Sequence, residues 1–117
     1  MRTRHGFTLL ELLIVIIIVG ILAAIAIPRY TATRQRAFVS SMKADLRTIV
    51  SAAESFYSQD GSYVSYPAPP GSNGAIITFA GTADSWRATA THPSVPGLLC
   101  TVERGPTAGL ANEPRCE

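Results

Sequence analysis

The chain has 117 residues, enough for one small domain and too few for two. It is 47% hydrophobic and only 15% charged, against about 25% charged in ordinary globular domains, so part of it is built to sit in a bilayer. Ten Lys and Arg against eight Asp and Glu leave a formal +2, too small a surplus for a nucleic-acid footprint, and no specific nucleic-acid partner is expected. The apolar content is lopsided: residues 12–27 contain no polar side chain, whereas residues 61–117 are rich in Gly, Pro, Ser and Thr.

Residues 1–6 carry Arg2, Arg4 and no acid, and an apolar stretch over residues 7–27 follows, interrupted only by Thr8 and Glu11. As a helix, that stretch would be about 31 Å long, matching the ~30 Å hydrocarbon core of a membrane. Arg2 and Arg4 resist translocation, which places the N-terminus in the cytoplasm and exports everything after Ile27. Three readings compete. A cleaved secretory signal would use the small residues of Ala24-Ile25-Ala26. A plain anchor, holding a small binding module at the inner membrane, leaves Glu11 unexplained, because a lone carboxylate in apolar surroundings costs about 2.5–3.5 kcal/mol. The third reading cuts the chain after Gly6, so that Phe7 gains an α-ammonium able to pair with Glu11 of a neighbouring copy.

The run Gly6-Phe7-Thr8-Leu9-Leu10-Glu11, followed by the apolar stretch and Pro28, resembles the class III leader of type IV prepilins and of the related type II secretion pseudopilins. The resemblance extends to about Tyr30. It implies a six-residue leader removed between Gly6 and Phe7 by a membrane peptidase, N-methylation of Phe7, and docking of each subunit through Glu11 and the Phe7 amine of its neighbour. It also implies a homopolymer. The subunit would wait as a single-pass protein of the inner membrane until an ATP-driven assembly machinery extracts it into an extracellular filament. Loss of Arg2 and Arg4 with the leader leaves eight basic and eight acidic side chains, a neutral subunit that packs beside its copies without accumulated repulsion.

Pro28 lacks an amide hydrogen and orphans the carbonyl of Ala24, so a kink or local break is expected there. Gly20 is a second weak point, and in the resembled family the stretch between equivalent Gly and Pro residues unwinds on assembly. Beyond Pro28, Phe38, Met42, Leu46, Ile49, Ala53 and Phe56 recur at steps of four and three, one face of an amphipathic helix over residues 28–58. The whole helix would run about 75 Å and stop near Ser58, before the turn signal Asp60-Gly61. Tyr30, Phe38, Phe56 and Tyr57 read as packing residues.

Residues 61–117 are too few and too broken to bury a core alone. They must lie on the Phe38 to Phe56 stripe, giving an α+β protein: a long kinked N-terminal helix against a small antiparallel sheet at residues 75–117. Strands are expected at 75–79, 86–91 and 98–103, with Trp86, Ala88 and Ala90 facing inward and residues 93–97 forming a hairpin. The stretch 63–74, within the helix-to-sheet loop 59–74, carries Pro67, Pro69 and Pro70 and reads as exposed loop. Cys100 and Cys116 lie on the exported side, where oxidation is permitted, and a disulfide is favoured; pilins of the resembled family often pin their C-terminal region this way. No cofactor, metal site or catalytic constellation is read from the sequence. His5 leaves with the leader, His92 beside Pro93 reads as an exposed turn residue, and Gly71-Ser72-Asn73-Gly74 reads as a turn. Asp84, Glu103, Glu113 and Glu117 lack calcium-loop spacing. The chain is expected to be a pilus subunit rather than an enzyme, with a pseudopilin of a short periplasmic pseudopilus as the alternative.

Overall fold

The computed structural model describes residues 2–105 and 113–117. One helix, α1 (Leu9–Asp60), is followed by four strands: β1 (Ile76–Gly81), β2 (Trp86–Thr91), β3 (Cys100–Arg104) and β4 (Arg115–Cys116). They form an antiparallel sheet in the order β1-β2-β3-β4. The chain divides into two compact units, Met1–Arg34 and Gln35–Glu117.

In the first unit α1 is apolar on every side over residues 12–27, and all its large apolar side chains from Leu9 to Ile27 are exposed. The helix is long and apolar enough to cross a membrane. The local break expected at Pro28 is absent, since helix is continuous through Gly20 and Pro28. One missing amide removes a single rung of the ladder, and the turns on either side continue. Just past the proline, Thr31 Oγ1 donates to the Ile27 carbonyl at 3.1 Å, which adds a bond to the weakened region.

In the second unit the predicted stripe forms the core. Met42, Leu46, Ile49 and Ala53 are buried with Trp86, Ala88 and Ala90 of β2, Cys100 and Val102 of β3, and Tyr63 and Ala75. Phe38 and Phe56, at the two ends of the stripe, are half-buried. Alternation along β2 is as expected, with Arg87 and Thr91 on the outer face. Its register sets Ala88 opposite Val102 and Ala90 opposite Cys100. Small side chains at 88 and 90 leave room for the leucine and isoleucine of α1.

Several features of this unit differ from expectation: α1 runs on to Asp60 rather than stopping near Ser58, β1 is Ile76–Gly81 rather than 75–79, and the two-residue β4 is an additional strand. Strand β3 is paired from Cys100 rather than from residue 98, because Leu98 belongs to the hairpin and its amide donates to the Val95 carbonyl at 3.4 Å. The stretch 63–74 lacks regular structure but is not wholly exposed: Tyr63 is buried, stacked on Tyr57 with ring centroids 4.6 Å apart. Its close passage over the end of β1 requires glycine at 81, where a Cβ would collide with the Tyr63 carbonyl. His92 is only 7% exposed. It stacks on Phe38 at 4.0 Å, accepts the Ser94 amide at Nδ1 (3.0 Å), and holds the Asn73 carbonyl through Nε2 (2.8 Å). Because Nδ1 accepts, Nε2 carries the proton. The 71–74 turn is also latched to α1 by Asp45, which receives the Ser72 amide at 2.9 Å.

Candidate functional site

Residues 2–8 have no regular structure and are exposed, so the peptide bond between Gly6 and Phe7 lies in an open strand of chain. A Cβ on Gly6 would meet nothing within 4 Å, and the same holds at Gly20. Neither glycine is required by its own chain, so any need for them comes from something outside it. Phe7 is 85% exposed.

Helix α1 starts where it does because Thr8 and Glu11 cap it reciprocally. The Thr8 amide donates to Glu11 Oε2 at 2.9 Å, the Thr8 hydroxyl donates to the same oxygen at 2.9 Å, and the Glu11 amide donates to Thr8 Oγ1 at 3.3 Å. This is a capping box, which satisfies two orphan amides at the helix start. The expectation that Glu11 is uncompensated within its own chain is therefore corrected. One carboxylate oxygen is engaged by Thr8, and the other, Oε1, has no partner among the described residues. The signal is present in Thr8-x-x-Glu11. An anionic side chain at a helix N-terminus also sits at the positive end of the macrodipole. The arrangement presents one bonded and one open oxygen on an apolar, exposed surface, one helical turn from Phe7.

The second unit carries paired charges. Glu54 forms an ion pair with Arg104 and accepts the Tyr63 phenol at 3.1 Å. Burial, reinforced by that bond and by the charge of Glu54, raises the Tyr63 pKa above its ordinary value, while the Glu54 bond raises that of Arg104. Arg87 pairs with Glu103 at 2.7 Å, and Arg47 with Glu113 at 3.5 Å between exposed side chains. Cys100 and Cys116 are joined in a disulfide that ties β4 to β3. Among the described residues no group of His, Cys, Asp and Glu is placed to hold a metal. Of the residues singled out from the sequence, the structure brings together Cys100 with Cys116 and sets Phe7 beside the capped turn of Glu11; Gly20 and Pro28 lie apart along α1.

An exposed apolar helix, long enough to cross a membrane, capped at its start and followed by a small antiparallel sheet, defines the class of chain. Residues 1–27 match the family model for the prokaryotic N-terminal methylation motif. The chain is 45% identical over 60 residues to the type IV major pilin protein of Myxococcus xanthus, covering 51% of this chain and 27% of that one. It is 46% identical over 65 residues to the major component of the type IV wide pilus of Thermus thermophilus, covering 56% and 50%. It is 34% identical over 64 residues to the type II secretion system core protein G of Pseudomonas aeruginosa, covering 55% and 45%. These matches span half or less of the relatives' own length. No solved structure is a significant match. Residues 1–27 thus carry the prokaryotic N-terminal methylation motif, and the chain is similar to type IV pilins over about half of its length.

Proposed function

We propose that this chain is a structural subunit of a type IV pilus, cut after Gly6, N-methylated on Phe7 and polymerised through α1, with no catalytic role. The observation that carries the reading is the uncovered apolar surface of residues 7–27, which begins at a capped carboxylate with one open oxygen. In a bilayer that surface contacts lipid; in a polymer it contacts the same surface of other copies. Lipid is as apolar as the helix, so packing and the pair formed by Glu11 and the Phe7 amine supply the direction, and the energy of extraction comes from assembly machinery. The methylation motif over residues 1–27 and the pilin relatives support it.

Orientation rests on the resemblance more than on charge. Only Arg2 and Arg4 precede the apolar stretch, whereas Arg29, Arg34, Arg36, Lys43 and Arg47 follow within 20 residues of Ile27. Counting positive charges alone favours the opposite topology. Export of the head therefore works against the flanking charge, a sign that those cations have a use on the far side. The likeness to the type II secretion protein supports the second reading, a pseudopilin.

The test is to shear surface filaments from cells and sequence the N-terminus of their principal component. It is expected to begin at N-methylated Phe7. Gly6→Ala, which meets no steric obstacle in the fold, is expected to leave an uncut membrane precursor. Filaments built from chains that begin at Met1 overturn the reading, and assembly confined to a short periplasmic structure favours the pseudopilin.

A further inference from the structure

The second unit, Gln35–Glu117, carries opposite unpaired charges at its two ends. Arg36 and Lys43 lie seven residues apart on one face of α1, near the Phe38 and His92 stack that closes one end of the head. Neither has an ion-pair partner among the described residues, and there is no acid between Glu11 and Asp45. At the other end, Asp60 ends α1, and Asp84 lies in the turn joining β1 to β2. The Tyr63 amide, donating to the Thr82 carbonyl at 3.1 Å, ties these two segments together. Asp60 and Asp84 are exposed and likewise have no partner among the described residues. The last turn of α1 holds no basic side chain, so Asp60 sits at the negative end of the helix macrodipole with no cation paired to it among the described residues. The other acids at this end are engaged: Glu54 with Arg104, and Glu103 with Arg87. Two acids lie at the cationic end, Asp45, which bonds only the neutral Ser72, and Glu117, beside Leu99 on the hairpin side; they offset part of its charge.

We propose that the head is a charge-polar unit in which Arg36 and Lys43 of one copy dock against Asp60 and Asp84 of a second copy. The proposal rests on the polymeric reading above and adds a contact between heads to the contact between helices. The partner is a second copy because each end is complementary to the other, and because the mature side chains balance at eight basic and eight acidic once residues 1–6 are gone. Such a contact joins two different surfaces, so it is heterologous and does not close on itself after two copies. Along α1 the two ends are separated by about 25–36 Å at 1.5 Å per residue, which sets the axial offset between the copies that touch.

All four side chains lie at or near the surface, so exchange of their charges should leave the fold intact, as a thermal melt of each full-length variant in detergent checks. Arg36→Glu with Lys43→Glu, and separately Asp60→Lys with Asp84→Lys, are each expected to lower the yield of sheared filaments by about tenfold or more. The fourfold exchange is expected to recover at least about half of the wild-type yield, since the attraction is restored with reversed sign. Wild-type yield from either double variant, or no recovery in the fourfold one, overturns the proposal. Loss with the cationic pair alone also overturns it, and points to lipid phosphates as the partner of the cations. The same four chains, cross-linked in detergent at low and high salt, report the head contact without filaments: salt-sensitive dimers are expected from the wild type and the fourfold exchange only. A chain that dimerises this way but never forms filaments refutes the pilus reading and leaves the contact standing.

Discussion

Replacing Glu11 with glutamine and with alanine separates the two roles the structure gives this residue. Within its own chain Glu11 caps α1, accepting the amide and hydroxyl of Thr8 at Oε2. Glutamine retains an oxygen acceptor and completes a capping box nearly as well; alanine removes the cap at a cost of about 0.5–2 kcal/mol. Both remove the charge. A carboxylate in apolar surroundings costs at most about 2.5–3.5 kcal/mol; Thr8 already offsets part of this at Oε2, and relief of about 1.4 kcal/mol of the remainder on meeting the Phe7 amine of another copy shifts the partition between membrane and filament by about tenfold per subunit. If the charge pair directs assembly, glutamine and alanine lower filament yield alike, by about tenfold or more, with membrane insertion intact. Thr8→Val, which keeps the charge and loses the hydroxyl, should change yield only a few-fold. The assay is an immunoblot of sheared filaments against the membrane fraction. Wild-type yield from Glu11→Gln beside loss in Glu11→Ala would refute the reasoning, because capping alone would then account for the residue.

Trp86 is the only tryptophan and is 3% exposed, so its fluorescence reports unfolding of the head in the full-length chain in detergent. Leu46→Ala, at a site with no exposure, should lower stability by about 3–4 kcal/mol through lost contact and residual cavity; an unchanged denaturation midpoint would contradict the core described above. Opening the disulfide, which closes a sequence separation of 16 residues, should lower stability by about 3 kcal/mol on the loop-entropy account, and mass spectrometry without reductant should find no free thiol. Tyr63 has a pKa raised by burial, by its bond to Glu54 and by that carboxylate's charge. Its contribution is therefore intact below the ordinary tyrosine value of about 10 and is lost as pH climbs through the raised value. Tyr63→Phe should flatten the alkaline limb of a stability-against-pH curve, with Tyr66, raised by burial alone, providing what remains; a limb of unchanged steepness would exclude Tyr63 as its origin.

Features that depend on local period are legible in the sequence. The stripe through Met42, Leu46, Ile49 and Ala53 repeats at helical spacing, and Trp86, Ala88 and Ala90 alternate, so the residue pattern alone places both faces. Strand β4 has no such pattern: it is two residues long, and only its pairing with β3 and the Cys100 to Cys116 bond define it. The burial of His92 is hidden for a related reason. Its neighbour Pro93 marks a turn, but its burial depends on Phe38, more than fifty residues earlier in the chain, and on the Asn73 carbonyl. Tyr63 follows a turn signal and precedes three prolines, yet stacks under Tyr57 because the chain doubles back over the end of β1. The Thr8 and Glu11 cap differs from these, because its signal is local. A carboxylate beside an apolar run reads equally as one half of an ion pair with another copy and as a cap on its own helix, and the spacing of three residues is what favours the cap.

The bare surface over residues 7–27 also restricts where a copy can exist at all. Fifteen large apolar side chains there, from Phe7 to Ile27, stand uncovered, and holding them in water rather than in lipid or among like helices would cost on the order of 20 kcal/mol. No appreciable pool of dissolved monomer can persist against such a penalty. A polymer of these chains could neither grow from material supplied at its distant tip nor shed single units there; length would be gained and surrendered only at the end rooted in the bilayer.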